Sequence, residues 1–226
     1  MKVSIHQPEY LPWLGFFNKI YRSDVYVILD TAKFSHGDFH NRNRIKTKNG
    51  SLWLTVPISG SKMLPIDQTK INHSTNWRKK HWQSISQNYR RAPYFQNIST
   101  LLKNLYSSQK FEKLLDLNLT INNCLKDYLG LNTKTVLASS LNLSGSQNDL
   151  LINICRQLGA DTYLSGSGGK NYLDEIKFTA AGIKVEYQNF AHPEYNQLFK
   201  KFIPYMSTID AVANVGRDET IKLIHQ

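Results

Sequence analysis

Short apolar runs alternate with segments of mixed apolar and polar residues along most of the chain. Residues 3–5 and 24–30 are almost entirely apolar, as strands buried on both faces of a sheet are. Between them, residues 13–21 form an aromatic-rich segment that predicts a helix. Three further strand-like runs follow at 135–138, 162–164 and 184–187, and a final short helix is predicted around residues 209–214. This alternation predicts an α/β protein with a mostly parallel sheet, of the Rossmann-like type.

A block with a helical pattern interrupts this alternation. Trp77, His81 and Ile85 recur every four positions, as residues on one face of a helix do. Pro93 ends that helix, and Gly130 ends the block. The pattern predicts three helices, at about 76–91, 95–106 and 111–129. We therefore expect one domain over residues 1–226, made of an α/β core (about 1–75 and 131–226) and a helical insertion (about 76–130).

Local signals predict one hairpin and one helix cap. The Asn49-Gly50 pair stands between two β-prone runs, 43–48 and 52–58, and this pair favours the tight turn of a two-stranded hairpin. Ser146 and Asp149 have the spacing of a capping box. The helix that follows β-prone residues 135–138 should therefore begin at Ser146.

The composition favours a folded protein with an anionic partner. Hydrophobic residues make up 41% of the 226 positions, enough for a packed core, and the net charge is +11. The basic residues are dispersed, and no known RNA- or DNA-binding motif occurs. The partner that this pattern favours is a small anionic substrate, such as a nucleotide sugar, rather than nucleic acid.

Several other classes of protein are disfavoured. The two cysteines, Cys124 and Cys155, form neither a disulfide framework nor a metal-binding motif, so we expect no metal site and a reducing, cytoplasmic location. No apolar window approaches the roughly 18 residues of a membrane span. The first residues do not resemble a signal peptide. The HExxH and GxSxG motifs are absent, which disfavours a metal hydrolase or a serine esterase.

Polar residues gather where three strand-like runs give way to loops: His6-Gln7, Asn41 to Arg44, and Ser165 to Lys170. In a parallel sheet these positions open on one edge, where ligands bind. His6 is a candidate general base or phosphate-binding donor, although a structural histidine is the alternative. Arg42 and Arg44 alternate along one strand, so they face the same side and suit an anion clamp.

The glycine-rich loop after the run 162–164 has two interpretations. Its glycines free backbone N–H groups to face a phosphate, and Lys170 supplies a positive charge. It is not a Walker A motif, because Asn171 stands where that motif has Ser or Thr. A phosphate loop and a plain turn both remain open. The candidate ligand-binding positions here are Ser165, Gly166, Ser167 and Lys170.

The chain resembles the WbqC-like protein family over nearly its whole length. The similarity is carried by His6-Gln7-Pro8-x-Tyr10-x-Pro12-Trp13-x-Gly15-Phe16, Asn41-Arg42-Asn43-Arg44-Ile45, Asn76-Trp77-Arg78-x-Lys80-His81, Ala92-Pro93-Tyr94-Phe95 and Tyr163-Leu164-Ser165-Gly166. Such proteins are typically encoded in bacterial gene clusters for O-antigen and other surface polysaccharides. The resemblance implies a role in lipopolysaccharide biosynthesis without defining a reaction.

The opening segment is also similar, at the level of the fold, to HIGH-type nucleotidylyl transferases. In this chain Trp13 and Phe16 stand where that superfamily has its two phosphate-binding histidines. The likeness therefore implies a nucleotide-binding corner more than turnover of ATP. The cofactor class that it allows is a nucleotide, either ATP or a nucleotide sugar.

Together these observations predict a transferase that acts on a nucleotide-activated or phosphorylated amino sugar, by acyl or aminoacyl transfer to the amine. His6 would be the general base, with Arg42, Arg44 and Lys170 on the phosphates and Tyr10 and Trp13 stacked on the base or sugar. The other candidate substrate-binding residues are Gln7, Asn41, Trp77, Lys80, His81, Ser165, Gly166 and Ser167. Two alternatives remain open: nucleotidylyl transfer, and a non-catalytic module that binds nucleic acid or another anion.

Overall fold

The computed structural model describes residues 1–60, 64–107 and 110–226. In chain order the strands and helices are β1 (Lys2–His6), α1 (Leu14–Tyr21), β2 (Val25–Ile28), β3 (Arg42–Thr47), β4 (Gly50–Thr55), β5 (Ile58–Ser59), β6 (Lys70–Ile71), α2 (Trp77–Tyr89), α3 (Phe95–Ser107), α4 (Leu114–Tyr128), β7 (Lys134–Leu137), α5 (Gln147–Gln157), β8 (Thr162–Ser165), α6 (Glu175–Ala180), β9 (Lys184–Tyr187) and α7 (Thr208–Ile224).

Five of these strands form one parallel sheet in the order β7-β2-β1-β8-β9. The register of β1 is set on both sides, with Val3 opposite Val25 of β2 and Tyr163 of β8. Helices cover both faces, so the predicted Rossmann-like α/β fold with a helical insertion is confirmed. The strand order reverses between β1 and β8, because the chain first builds outward through β2 and later returns to the other side of β1.

Each face of the sheet has its own apolar core, because successive side chains of a strand point to opposite faces. On one face, Tyr26 and Ile28 of β2 pack in a cluster with Phe16 of α1. On the other face, Val27 packs in a cluster with Phe178 of α6. Burial on both faces explains why the strands appear in the sequence as continuous apolar runs.

The three helices of the insertion join the first of these two cores. Helix α3 packs against both α2 and α7, so the insertion and the C-terminal helix form one layer. Helix α7 is longer than the short helix that the sequence suggested around residues 209–214. It turns at Gly216, where φ is +81° and a Cβ atom would lie 2.9 Å from the Tyr94 ring. Only glycine fits this turn, which hid the second half of the helix from a simple periodic pattern.

The predicted hairpin is confirmed, whereas the predicted capping box is wrong. Strands β3 and β4 pair antiparallel and close at Thr47 and Gly50, where the φ of Gly50 is +115°. Ser146 does precede α5, but its side chain makes no capping hydrogen bond. The Asp149 carboxylate instead accepts from Lys177 Nζ at 3.0 Å, so an ion pair between α5 and α6 replaces the reciprocal cap. Among the described helices, none is both long and apolar enough to cross a membrane.

Candidate functional site

A cavity of about 670 Å³ opens at the carboxyl edge of the sheet, between β1 and β8. This is the point where the strand order reverses and where open α/β sheets bind their ligands. The volume is in the range of small-molecule sites. The lining residues are Ile5, His6, Gln7, Lys19, Leu29, Gln147, Leu150, Leu151, Tyr163, Gly166, Gly168, Gly169 and Tyr172.

His6 stands at the end of β1 with a defined tautomer. Its Nδ1 lies 2.9 Å from the backbone oxygen of Gln7, and because a carbonyl only accepts, Nδ1 carries the proton. Nε2 therefore has a free lone pair. Burial, together with the nearby charge of Lys19, lowers the pKa of His6 to about 3. Since 33% of the side chain is exposed and the residue lines the cavity, a neutral imidazole faces the ligand space at pH 7.

Gln7 is oriented by a second histidine. The Ser35 N–H lies 3.3 Å from His40 Nδ1, so His40 accepts there and carries its proton on Nε2. That nitrogen donates to Gln7 Oε1 at 2.6 Å. The fixed oxygen leaves the Gln7 amide N–H groups available to a ligand in the cavity. His40 was not among the candidates from the sequence, and it reaches this place from the loop after β2.

Lys19 contributes a buried positive charge to the cavity. Side chains of a helix lean toward its N-terminus, so Lys19 points back along α1 toward the carboxyl edge of the sheet. The residue is 3% exposed, and a Cβ atom at Gly166 would lie 3.2 Å from its Nζ. In the described part of the chain, no hydrogen bond or ion pair joins Nζ to another residue. Burial lowers the pKa of Lys19 to about 8, although the nearby Glu9 carboxyl opposes the change.

Glu9 is buried beside His6. Burial raises the pKa of Glu9 to about 8, and the charge of Lys19 opposes this shift. Its Oε1 lies 3.8 Å from His6 Nε2, and its Oε2 has no hydrogen-bond partner among the described residues. A raised pKa keeps this carboxyl protonated at pH 7. The resting site is therefore positive, because Lys19 is charged while Glu9 and His6 are neutral.

One glycine of the loop after β8, Gly166, contacts Lys19. A single 3₁₀ turn runs over Ser167–Asn171, and the first N–H groups of such a turn have no partner within it. At Gly169 a Cβ atom would lie 2.1 Å from Ser165 Oγ, whereas at Gly168 it would meet nothing within 4 Å. Ser165 itself is buried and donates to the Gly166 oxygen at 3.1 Å. Free N–H groups beside an ammonium can bind an anion.

The other walls of the cavity are largely apolar. They come from the ends of β1 and β8, from the residue after β2, and from the first turns of α5: Ile5, Tyr163, Leu29, Leu150 and Leu151. Tyr172 completes the lining with a ring that is 62% exposed. The cavity thus combines one charged, hydrogen-bonding end with walls that accept a flat or apolar group. The helix whose N-terminus faces this space is α5, which begins at Gln147.

The structure brings three of the sequence-derived candidates together in the cavity lining, namely His6, Gln7 and Gly166. Tyr10 and His81 lie elsewhere, in a buried cluster where the Tyr10 hydroxyl is 2.8 Å from His81 Nδ1 and hydrogen-bonded to Tyr106. Trp77 packs edge-on against His81 in the same cluster. These aromatic side chains join the first strand–helix corner to the helical insertion. Lys80 lies exposed on α2.

Trp13 packs beneath the C-terminal segment. Its ring stacks on His192 with 6.1 Å between centroids and meets Phe190 and Tyr205 edge-on. A Cβ atom at Gly15 would lie 2.1 Å from the Trp13 ring, so this packing requires glycine at position 15. Trp13 is not part of the cavity lining.

The remaining candidates lie outside the lining as well. Asn41 is buried and donates to the Val56 oxygen at 2.7 Å. Arg42 and Arg44 lie over the Trp53 ring on the hairpin. Ser167 and Lys170 are exposed, and Lys170 Nζ lies 5.4 Å from the centroid of the Tyr187 ring. The predicted anion clamp and the predicted glycine loop are therefore separate features of the molecule.

The fold is that of a Rossmann-like α/β protein with a cavity at the switch point of its sheet, where proteins of this architecture bind ligands. The chain belongs to the WbqC-like protein family, whose model matches residues 7–222. It is 34% identical over 220 residues to the uncharacterized protein Rv1507c of Mycobacterium tuberculosis, which covers 96% of this chain and 95% of that protein. No solved structure matches the chain significantly.

Proposed function

We propose that this protein is a transferase that binds a phosphorylated or nucleotide-activated amino sugar in the cavity between β1 and β8. The observation that supports this most strongly is the Lys19 ammonium, which is buried against Gly166 and has no hydrogen-bond acceptor among the described residues. An ammonium that lines a cavity and has no acceptor from the protein is free to pair with a bound anion. A phosphate held between Nζ and the N–H groups of the 3₁₀ turn at Ser167–Asn171 would supply the missing acceptors.

The rest of the ligand has to match the other walls of the cavity. Leu29, Leu150 and the exposed ring of Tyr172 suit a base or the apolar face of a sugar ring. The Gln7 amide, with its oxygen held by His40, offers N–H donors to a hydroxyl or carbonyl oxygen. The gene context of WbqC-like proteins, in clusters for surface polysaccharides, favours a sugar as the ligand.

In the reaction that we propose, His6 accepts a proton from the sugar amine. The amine nitrogen attacks the carbonyl carbon of an acyl donor, the new C–N bond forms, and the amine proton passes to His6 Nε2. The bond from the acyl carbon to the leaving group then breaks, and the leaving group departs with its electron pair and takes the proton from His6. Anion binding at Lys19 assists this step, because neutralising Lys19 removes one cause of the low pKa of His6.

A thermal-shift screen with nucleotides and nucleotide sugars tests the proposal. A ligand at about 100 times its dissociation constant stabilises the fold by about 2.7 kcal/mol. We expect a hit with wild type and with Lys80→Met, whose lysine is exposed on α2, and no stabilisation of Lys19→Met. The Lys19→Met protein should fold, since replacing a buried charge with an apolar side chain is often neutral or stabilising. Equal stabilisation of Lys19→Met and wild type would overturn the proposal.

A further inference from the structure

Two arginines of the hairpin share one tryptophan ring. Arg42 and Arg44 are two positions apart on β3 and so project from the same face. Trp53 of β4 is directly opposite Arg44. The guanidinium carbons of the two arginines lie 4.2 and 5.4 Å from the centroid of the Trp53 ring. Stacking on an aromatic face holds a guanidinium plane in one orientation and leaves its N–H edge free.

These guanidinium groups lack acidic partners. In the ranges that the structure describes, neither Arg42 nor Arg44 forms an ion pair, and the Nε atoms of both are buried without a hydrogen-bond partner. Arg42 donates to the backbone oxygen of Gly37, and no hydrogen bond from the Arg44 guanidinium joins it to the described residues. Two cations that contact the same ring without a counter-charge repel each other, so an anion that reaches both would lower their energy.

The surroundings keep this surface accessible. Trp53 is 40% exposed, and Phe39, which is 37% exposed, lies with its ring 6.0 Å from that of Trp53. None of these four residues lines the cavity between β1 and β8. The net charge of +11 also raises the local concentration of anions around the molecule.

We propose that Arg42, Trp53 and Arg44 form a second anion-binding site, which takes a phosphate group. A phosphate suits the pair because its several oxygens can accept from the N–H edges of two guanidinium groups at once. The site is independent of the cavity and of Lys19. It is a binding site, and no chemistry on the phosphate is implied.

Calorimetric titration of the whole chain with inorganic pyrophosphate tests this proposal. We expect two sites in wild type, and one site in the Arg42→Gln/Arg44→Gln double variant, where the second binding is about tenfold weaker or lost. The Arg90→Gln/Arg91→Gln double variant is the matched control, because these two arginines are exposed at the end of α2, and it should keep both sites. The site on the hairpin should weaken as salt is added, since it is close to solvent.

Lys19→Met separates this proposal from the one for the cavity. If Lys19→Met keeps two sites while the hairpin variant loses one, the cavity proposal fails and the hairpin site stands. If wild type has one site and Lys19→Met removes it, or if the hairpin variant binds as wild type does, the hairpin site is overturned. Should the double variant not fold, the tryptophan fluorescence change with pyrophosphate is compared in wild type and Trp53→Phe. An unchanged response in Trp53→Phe then overturns the proposal.

Discussion

The ammonium of Lys19 lies directly against the backbone of Gly166, so α1 and the loop after β8 meet across the switch point of the sheet. A Cβ atom at position 166 would lie 3.2 Å from Nζ, so a side chain there would require the ammonium to shift. The contact also links the β1–α1 half of the sheet to the β8 half, at the edge of the cavity.

Gly166→Ala is expected to displace the Lys19 ammonium and weaken anion binding by several-fold. The stability of the fold should change by less than about 1 kcal/mol, because the end of a flexible side chain can shift at little cost. Gly168→Ala is the control, since a Cβ atom there meets nothing within 4 Å. Calorimetry with the nucleotide sugar that binds wild type best measures the dissociation constants of both variants. If both variants weaken anion binding equally, the Gly166–Lys19 contact does not contribute to that binding.

Anion binding in the cavity should weaken as the pH rises through about 8. Burial lowers the pKa of Lys19 to about 8, so its ammonium loses its proton in that range. Burial raises the pKa of Glu9 to about 8, so a repelling carboxylate forms in the same range. Both changes reduce affinity in the same direction. Dissociation constants between pH 6 and pH 9 should rise more steeply for wild type than for Glu9→Gln, and a flat profile for wild type would contradict this.

His6→Asn is expected to retain ligand binding and lose turnover. Asparagine fills a similar space but cannot accept a proton from the sugar amine, and loss of a general base typically lowers rates by about 10²–10⁴-fold. His36→Asn is the control, because that histidine is exposed and does not line the cavity. Turnover by His6→Asn at the wild-type rate would remove His6 from the mechanism.

Tyr89→Phe should destabilise the fold by about 1.5–3 kcal/mol, because it removes a hydrogen bond to a buried carboxylate. The Tyr89 hydroxyl donates to Asp210 Oδ1 at 2.7 Å and accepts from the Lys46 N–H at 2.9 Å. Urea unfolding of Tyr89→Phe and of the control Tyr94→Phe, whose ring is 43% exposed, gives the difference. If Tyr89→Phe lowers the free energy of unfolding no more than Tyr94→Phe does, the Tyr89–Asp210 hydrogen bond contributes little to stability.

Most of the fold followed from the sequence because its signals are local. Strands buried on both faces give continuous apolar runs. The Asn49-Gly50 pair favours a hairpin turn through its own backbone preferences, whatever the hairpin packs against. The second half of α7 was missed because Gly216 interrupts its pattern, and the role of that glycine depends on contact with Tyr94, which lies in the turn before α3. The cap expected at Ser146 is absent, and the Asp149 carboxylate pairs with Lys177 of α6 instead.

The candidate site was harder to infer, because it depends on long-range contacts. His6, Gln7 and Gly166 could be found as polar or glycine residues at strand ends. A lysine is rarely buried, so Lys19 gave no signal beyond its place in a mostly apolar helix. Glu9 was equally inconspicuous between Pro8 and Tyr10. Tyr10, Trp77 and His81 were chosen for their chemistry, but the same side chains pack and hydrogen-bond together in the core.

The titration of the Lys19 amine by NMR tests the central claim most directly. Lysine labelled with ¹³C at Cε reports each amine, and Lys19→Met assigns the signal. We expect the Lys19 amine to titrate near pH 8 in the free protein. Its pKa should rise by at least about one unit when a phosphorylated ligand fills the cavity, since a bound anion favours the charged form. A Lys19 pKa that is the same with and without such a ligand would contradict the account.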